Sequence, residues 1–185
     1  MKNIATVALM LNLGVAGVYA QEMSVRMTFQ GTGGASPIDL KQPNANTLEE
    51  NVDGNGTLGR FTFRDVRASL TSPQASSTCS GLYFPNVAGA GQLRFQDGSL
   101  LKVTLTEGGD CIDPVHMMAR CTLTFKITGG TGRFKNASGV LTYDETALPL
   151  LADALSNPVL ASERGEITGT ISGLAMEDNQ QGDQR

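Results

Sequence analysis

Apolar and polar residues alternate with a period of two along most of the chain. Val25, Met27 and Phe29 share one face while Ser24, Arg26, Thr28 and Gln30 share the other, which is the pattern of a strand with one buried side. The same alternation predicts strands over 91–95, 99–106, 118–128, 137–144 and 165–173, with a short further strand around Leu82 to Phe84. Between Leu58 and Leu70 the phase changes, because Phe61 and Phe63 fall on one side and Val66, Ala68 and Leu70 on the other. A bulge near Asp65 would bring all five to one face. In the hairpin around Asp97, the apolar sets Leu93/Phe95 and Leu101/Val103/Leu105 must point the same way. A three-residue loop, Gln96 to Gly98, satisfies that by pairing Leu93 with Leu101 and placing Gly98 at the position that needs a positive φ.

Two segments break the pattern. Residues 31–56 are polar and rich in Asn and Gly, and are read as a long loop. Residues 147–156 space Leu148, Leu151, Ala152 and Leu155 as one helical stripe, with Pro149 near the start and Asn157-Pro158 after the end; this predicts a short helix. The sequence after Leu174 is polar and is read as a disordered tail over 175–185. The expected fold is therefore all-β, a single antiparallel barrel of about eight strands over 21–174, with one short helix before the last strand.

The first 20 residues read as a secretory signal peptide: Lys2 as the charged start, an apolar run from Ile4 to Val15, then Val18 and Ala20 before the cut. Export makes the mature chain secreted or periplasmic. No later stretch reaches the roughly 20 apolar residues of a membrane-spanning helix, so no membrane span is predicted. The whole chain carries a formal net charge of −4, more negative once Lys2 leaves, which disfavours nucleic acid as a partner. Three cysteines in an exported chain predict one disulfide and one leftover thiol. Cys121 shares a strand face with Ala119, Leu123, Phe125 and Ile127 and is read as an inert core residue. Cys79 and Cys111 lie in polar, turn-rich sequence and are paired by elimination.

The glycine-rich stretch Gly129-Gly130-Thr131-Gly132-Arg133-Phe134 raises the question of a phosphate loop. Such loops run from strand into helix and end in Gly-Lys-Ser/Thr, whereas here the following residues alternate as a strand, so the glycines serve a turn. Together with Ala137 and Gly139 the stretch resembles the glycine hairpin of dirigent proteins and of the wider barrel group that includes allene oxide cyclases. The match covers 11 residues of 185. The resemblance implies an eight-stranded antiparallel barrel around an apolar cavity, with the matched residues in structural roles.

Other chemistry is sparse. Asn51, Asp53, Asn55 and Gly56 follow the start of a calcium loop, but Thr62 stands where the bidentate Glu belongs. Asp110, Asp113 and the sole histidine, His116, would need a further ligand to hold a metal. No G-x-S-x-G surrounds any serine, and neither a metal nor a cofactor is assigned. Phe29, Phe61, Phe63, Phe95 and Phe125 all fall on inward faces and are the candidates for contact with a small ligand. The leading expectation is a secreted, non-catalytic barrel that binds a small apolar or aromatic molecule. The alternatives are a cofactor-free, dirigent-like or cyclase-like enzyme, and an extracellular structural or surface-interaction protein.

Overall fold

A computed structural model describes residues 22–154 and 158–175. The leader 1–20, and all of the expected tail except Ala175, lie outside the described residues. Eight antiparallel strands follow one another around a closed barrel: β1 (Met23–Ala35), β2 (Ala45–Gly56), β3 (Phe61–Leu70), β4 (Leu82–Phe95), β5 (Leu100–Asp113), β6 (Met118–Gly130), β7 (Ser138–Ala152) and β8 (Pro158–Ser172). Pairing of β1 with β8, from Met23 opposite Ile171 to Gly34 opposite Leu160, closes the sheet. Closure leaves no open edge among the described strands. The helical element described is a single 3₁₀ turn, Gly132–Phe134, and no described helix is long and apolar enough to cross a membrane.

Inward side chains divide the barrel into two halves. In one half Phe61, Phe95, Leu101, Ile127, Phe134 and Ile171 are all buried, with Phe134 against Phe95 at 4.7 Å between ring centres. The glycine-rich stretch lies here: it joins β6 to β7 and swings Phe134 into the barrel mouth as a plug. Arg133 covers that plug, its guanidinium 4.7 Å from the Phe134 ring centre and 3.1 Å from Asp97. The glycine-rich stretch is thus a turn between two strands. Gly132 has φ +57 and its Cα lies against the Ser99 side chain. Gly132→Ala is expected to lose about 1 kcal/mol or more of stability from the left-handed backbone alone, readable as a lower midpoint in urea. An unchanged midpoint would show that Ser99 and the turn can yield.

The hairpin after β4 has the predicted register, Leu93 opposite Leu101, with Gly98 at φ +83. The disulfide is Cys79–Cys111, and Cys121 is free and buried. Other expectations fail. Residues 31–56 are not one long loop: β1 runs to Ala35, β2 begins at Ala45, and β2 pairs with both β1 and β3. Residues 147–152 are strand rather than helix, paired with β8 through two register shifts near Leu151, which leave Leu148 and Leu151 exposed; 155–157 lie outside the described residues. The bulge expected near Asp65 is absent. β3 pairs with β2 without a break from Phe61 to Leu70, and its register shift against β4 comes at Ala68/Ser69. In β3 the inward row stays in phase but changes from apolar to charged, which apolar periodicity cannot follow, whereas in β7 the two shifts disturb the alternation itself.

Candidate functional site

That change of phase builds the second half of the barrel. Continuing inward from Phe61 and Phe63, β3 presents Asp65, Arg67 and Ser69. Glu50 enters from β2, Asp110 from β5, Cys121 from β6, Glu145 from β7 and Glu163 from β8, all buried. A barrel of eight strands leaves just enough width for side chains or for one small ligand. Small residues provide the room here: the Glu163 carboxyl lies directly over the Cα of Gly33, where any Cβ would collide with it.

Tyr143 forms the boundary between the halves. Its ring stacks on Phe29 at 4.4 Å and meets Phe125 edge-on at 6.3 Å, while its hydroxyl donates to Glu50 Oε2 at 2.7 Å. Glu50 also forms a close ion pair through Oε1 with Arg67 Nη1. Arg67 reaches Asp65 at 3.4 Å and Asp110 at 3.9 Å. Asp110 is well served, accepting from Ser69 Oγ and Asn86 Nδ2 at 3.1 Å each and from the Cys121 thiol at 2.6 Å. Cys121 is therefore buried as expected, but it belongs to a polar cluster rather than to a purely apolar core.

Other members lack partners. Oε2 of Glu163, Oδ1 of Asp65 and Arg67 Nε have no hydrogen bond, and Glu145 receives no donor, its protonated carboxyl bonding only to Glu50. Buried polar groups normally find one, so each such exception asks for an explanation. Burial, reinforced by the Glu50 charge, pushes Glu145 up to about 10. The same two causes push Glu163 up to about 9 and Asp65 to about 8, with Arg67 pulling in the opposite sense. Each shift favours the protonated carboxyl at neutral pH. Burial draws Arg67 down, but Glu50, Asp65 and Asp110 more than offset it and hold the guanidinium above its ordinary value. Burial and Asp110 likewise raise the Cys121 thiol, so it is no ready nucleophile.

Above these groups a cavity of about 800 Å³ opens at this end of the barrel. Arg67, Asp110, Cys121, Glu145 and Glu163 line its floor, while Phe84, Ile112, Met118, Ala147 and Leu160 line its wall. A wider depression of about 1320 Å³ crosses the outer face of β1 to β4. Its charged residues, Arg60, Arg64 and Arg94 among them, are exposed to water, so it lacks the desolvation that makes the inner cup chemically distinctive.

The five phenylalanines are buried, and ring contacts such as Phe61 with Phe95 and Phe63 with Phe125 tie them together beneath the cup; none is among the residues lining it. Asp110, Asp113 and His116 do not converge. Asp113 and His116 pair with each other at 2.6 Å in the exposed β5–β6 turn, and Asp110 points into the barrel. Asn51, Asp53 and Asn55 stay exposed on β2. Oxygen atoms of Glu50, Glu145 and Glu163 lie within 4.8 Å of one another, so these three are the described residues that a cation would meet. The sequence held a signal for the cluster: each member stands an even number of residues from an inward apolar neighbour, Asp65 from Phe63, Glu145 from Tyr143 and Glu163 from Ile167.

No family model matches the chain, and no curated protein matches it. Among solved structures, the pterocarpan synthase dirigent protein PsPTS1 is similar at 12% identity and a TM-score of 0.44, over 84% of this chain and 97% of that one. The pterocarpan synthase dirigent protein GePTS1 is similar at 12% identity and a TM-score of 0.40, over 89% and 99% respectively.

Proposed function

We propose that the chain is an exported barrel whose open cup binds a small molecule with an apolar body and a polar end. The observation that carries this reading is the pairing, in one cavity, of a hydrocarbon wall with buried polar atoms that have no protein partner. A ligand pocket is mostly apolar with a few polar groups that fix orientation, and the unpartnered atoms are those a bound molecule would satisfy. The disulfide at the rim supports an oxidising destination. In this reading the five phenylalanines hold up the floor, and the ligand touches the wall above them.

A second reading, a cofactor-free enzyme of the dirigent-like or cyclase-like kind, draws support from the protonated carboxyls. Glu145 and Glu163 keep their protons through neutral pH inside a cavity, which is the condition for a general acid. Either carboxyl could deliver a proton to an oxygen of the substrate, and Arg67 could hold the anion that forms.

The test is retention of a ligand. Mature protein should release a small organic compound when denatured and extracted, and Ala161→Trp, which fills the cup from β8, should abolish retention while the barrel still melts cooperatively. Retention by Ala161→Trp at the wild-type level would remove the cup from consideration. Conversion of the released compound by fresh protein would favour the enzymatic reading, and its unchanged recovery the binding one.

A further inference from the structure

The charged half of the barrel holds more acid than its own bases can balance. Glu50, Asp65, Asp110, Glu145 and Glu163 are each no more than 6% exposed, and Arg67 is the one buried cation among the described residues. Burying unpaired carboxyls is costly, and a site meant for an apolar molecule alone would have no use for them. The hydrogen bonds sharpen the point. Arg67 and Tyr143 serve Glu50, and Ser69, Asn86 and Cys121 serve Asp110. Acceptors remain at Glu163 Oε2 and at Glu145, whose oxygens receive no other donor on a side chain 4% exposed and whose own proton is shared with Glu50. What the cup lacks is N–H donors with positive charge.

We propose that the occupant of the cup is an organic cation, an amine whose protonated nitrogen sits against Glu145 and Glu163 while its hydrocarbon body packs against Ile112, Met118 and Leu160. The inference rests on the cup being a ligand site. An ammonium group has three donors in tetrahedral directions. Two acceptors each about 2.8 Å from one nitrogen in those directions stand about 4.6 Å apart, and Glu145 and Glu163, which both line the cup, have carboxylate oxygens no more than 4.8 Å apart. A bare metal ion would leave the apolar wall unused. The notch at Gly33 is what leaves room for the Glu163 carboxyl at this place on β1.

Binding must also move protons. In the empty cup Glu145 and Glu163 carry protons; when the ammonium enters, a carboxyl gives its proton to solvent and the carboxylate pairs with the cation. The groups facing that point are Glu50 on β2, Asp65 and Arg67 on β3, Asp110 on β5, Cys121 on β6, Tyr143 on β7 and Glu163 on β8. Asp65, Glu145 and Glu163 are the ones poised to release.

The experiment is calorimetric titration of the mature protein near neutral pH with hexylamine, hexanol and hexanoate, run in two buffers of different ionisation enthalpy. Hexylamine is expected to bind about tenfold tighter than hexanol or better, hexanoate to bind more weakly than either, and about one proton to leave per amine bound. The double variant Glu145→Gln/Glu163→Gln should lose the amine preference and the proton release while still taking hexanol. Equal affinity for hexylamine and hexanol in the wild type would overturn the cation and leave the cup standing as an apolar site. No binding of any of the three would count against the cup itself. Tight binding of manganese or zinc ions that excludes hexylamine would replace the amine with a metal.

Discussion

Arg67→Met is expected to be among the most damaging single substitutions in the barrel, with a loss of about 3–5 kcal/mol against a total stability of order 5–15 kcal/mol for a domain of this kind. Methionine fills much of the same volume, so the loss is not one of packing. It arises because the guanidinium pairs closely with Glu50 and reaches Asp65 and Asp110 in a space closed to water. Removing it leaves carboxyls facing one another with Tyr143 as the one remaining donor to Glu50. The damage should be partly reversible by chemistry. Adding Glu50→Gln removes the charge that Arg67 balanced, so the double variant should be more stable than Arg67→Met alone, a coupling that a denaturant-melt cycle measures directly. If Arg67→Met melts like the wild type, or if Glu50→Gln simply adds to its loss, the arginine is not what makes the acidic interior tolerable.

The legible part of the sequence was the half that obeys the ordinary rule of apolar inside and polar outside. Phe61, Phe95, Leu101 and Phe125 gave strand faces that the structure reproduces, and the Leu93–Leu101 register followed from keeping apolar faces aligned across a short turn. At the open end the rule inverts. Asp65 and Arg67 hold the same phase as Phe61 and Phe63, yet requiring an apolar interior moved Val66, Ala68 and Leu70 inward and called for a bulge the chain does not make. In β2 the inward residues include Glu50 and Gly54 beside Val52, too few apolar positions to mark a strand. In β7 the exposed Leu148 and Leu151 imitate a helical stripe, because two register shifts disturb the alternation there. The candidate site was missed where the fold reading failed, and the same residues account for both.

Stability should be greatest in mild acid and fall steadily as the pH rises. Glu145, Glu163 and Asp65 stand at about 10, about 9 and about 8 in the folded chain, against ordinary values of 4.5, 4.5 and 3.8. Below the ordinary values these carboxyls are protonated in both states and their full contribution to stability is present. Above them the unfolded chain releases its protons while the fold still holds them, so each step in pH favours unfolding until the folded values are passed. The window of loss runs from about pH 4 to about pH 10. Each unit of pH within it costs about 1.4 kcal/mol per group that holds its proton. Even one such group would remove about 4 kcal/mol between pH 5 and pH 8. Asp39, Asp97 and Asp113 act in the opposite sense, being held below their ordinary value; hydrogen bonding to Lys41 is the main cause for Asp39 and to His116 for Asp113, while at Asp97 the bonds to Ser99 and the Arg133 charge outweigh burial. Their contribution is lost only on acidification below about pH 4, so they set the acid limit of the optimum rather than cancel the slope. Urea midpoints of the ligand-free protein measured across this range test the sign. Glu145→Gln, which cannot ionise, should flatten the decline, and hexylamine should flatten it too by pairing with the carboxylates as they form. A midpoint that stays level or climbs from pH 5 to pH 8 would mean that these three carboxyls are ionised in the fold, and that the charge of the cup is balanced in some other way.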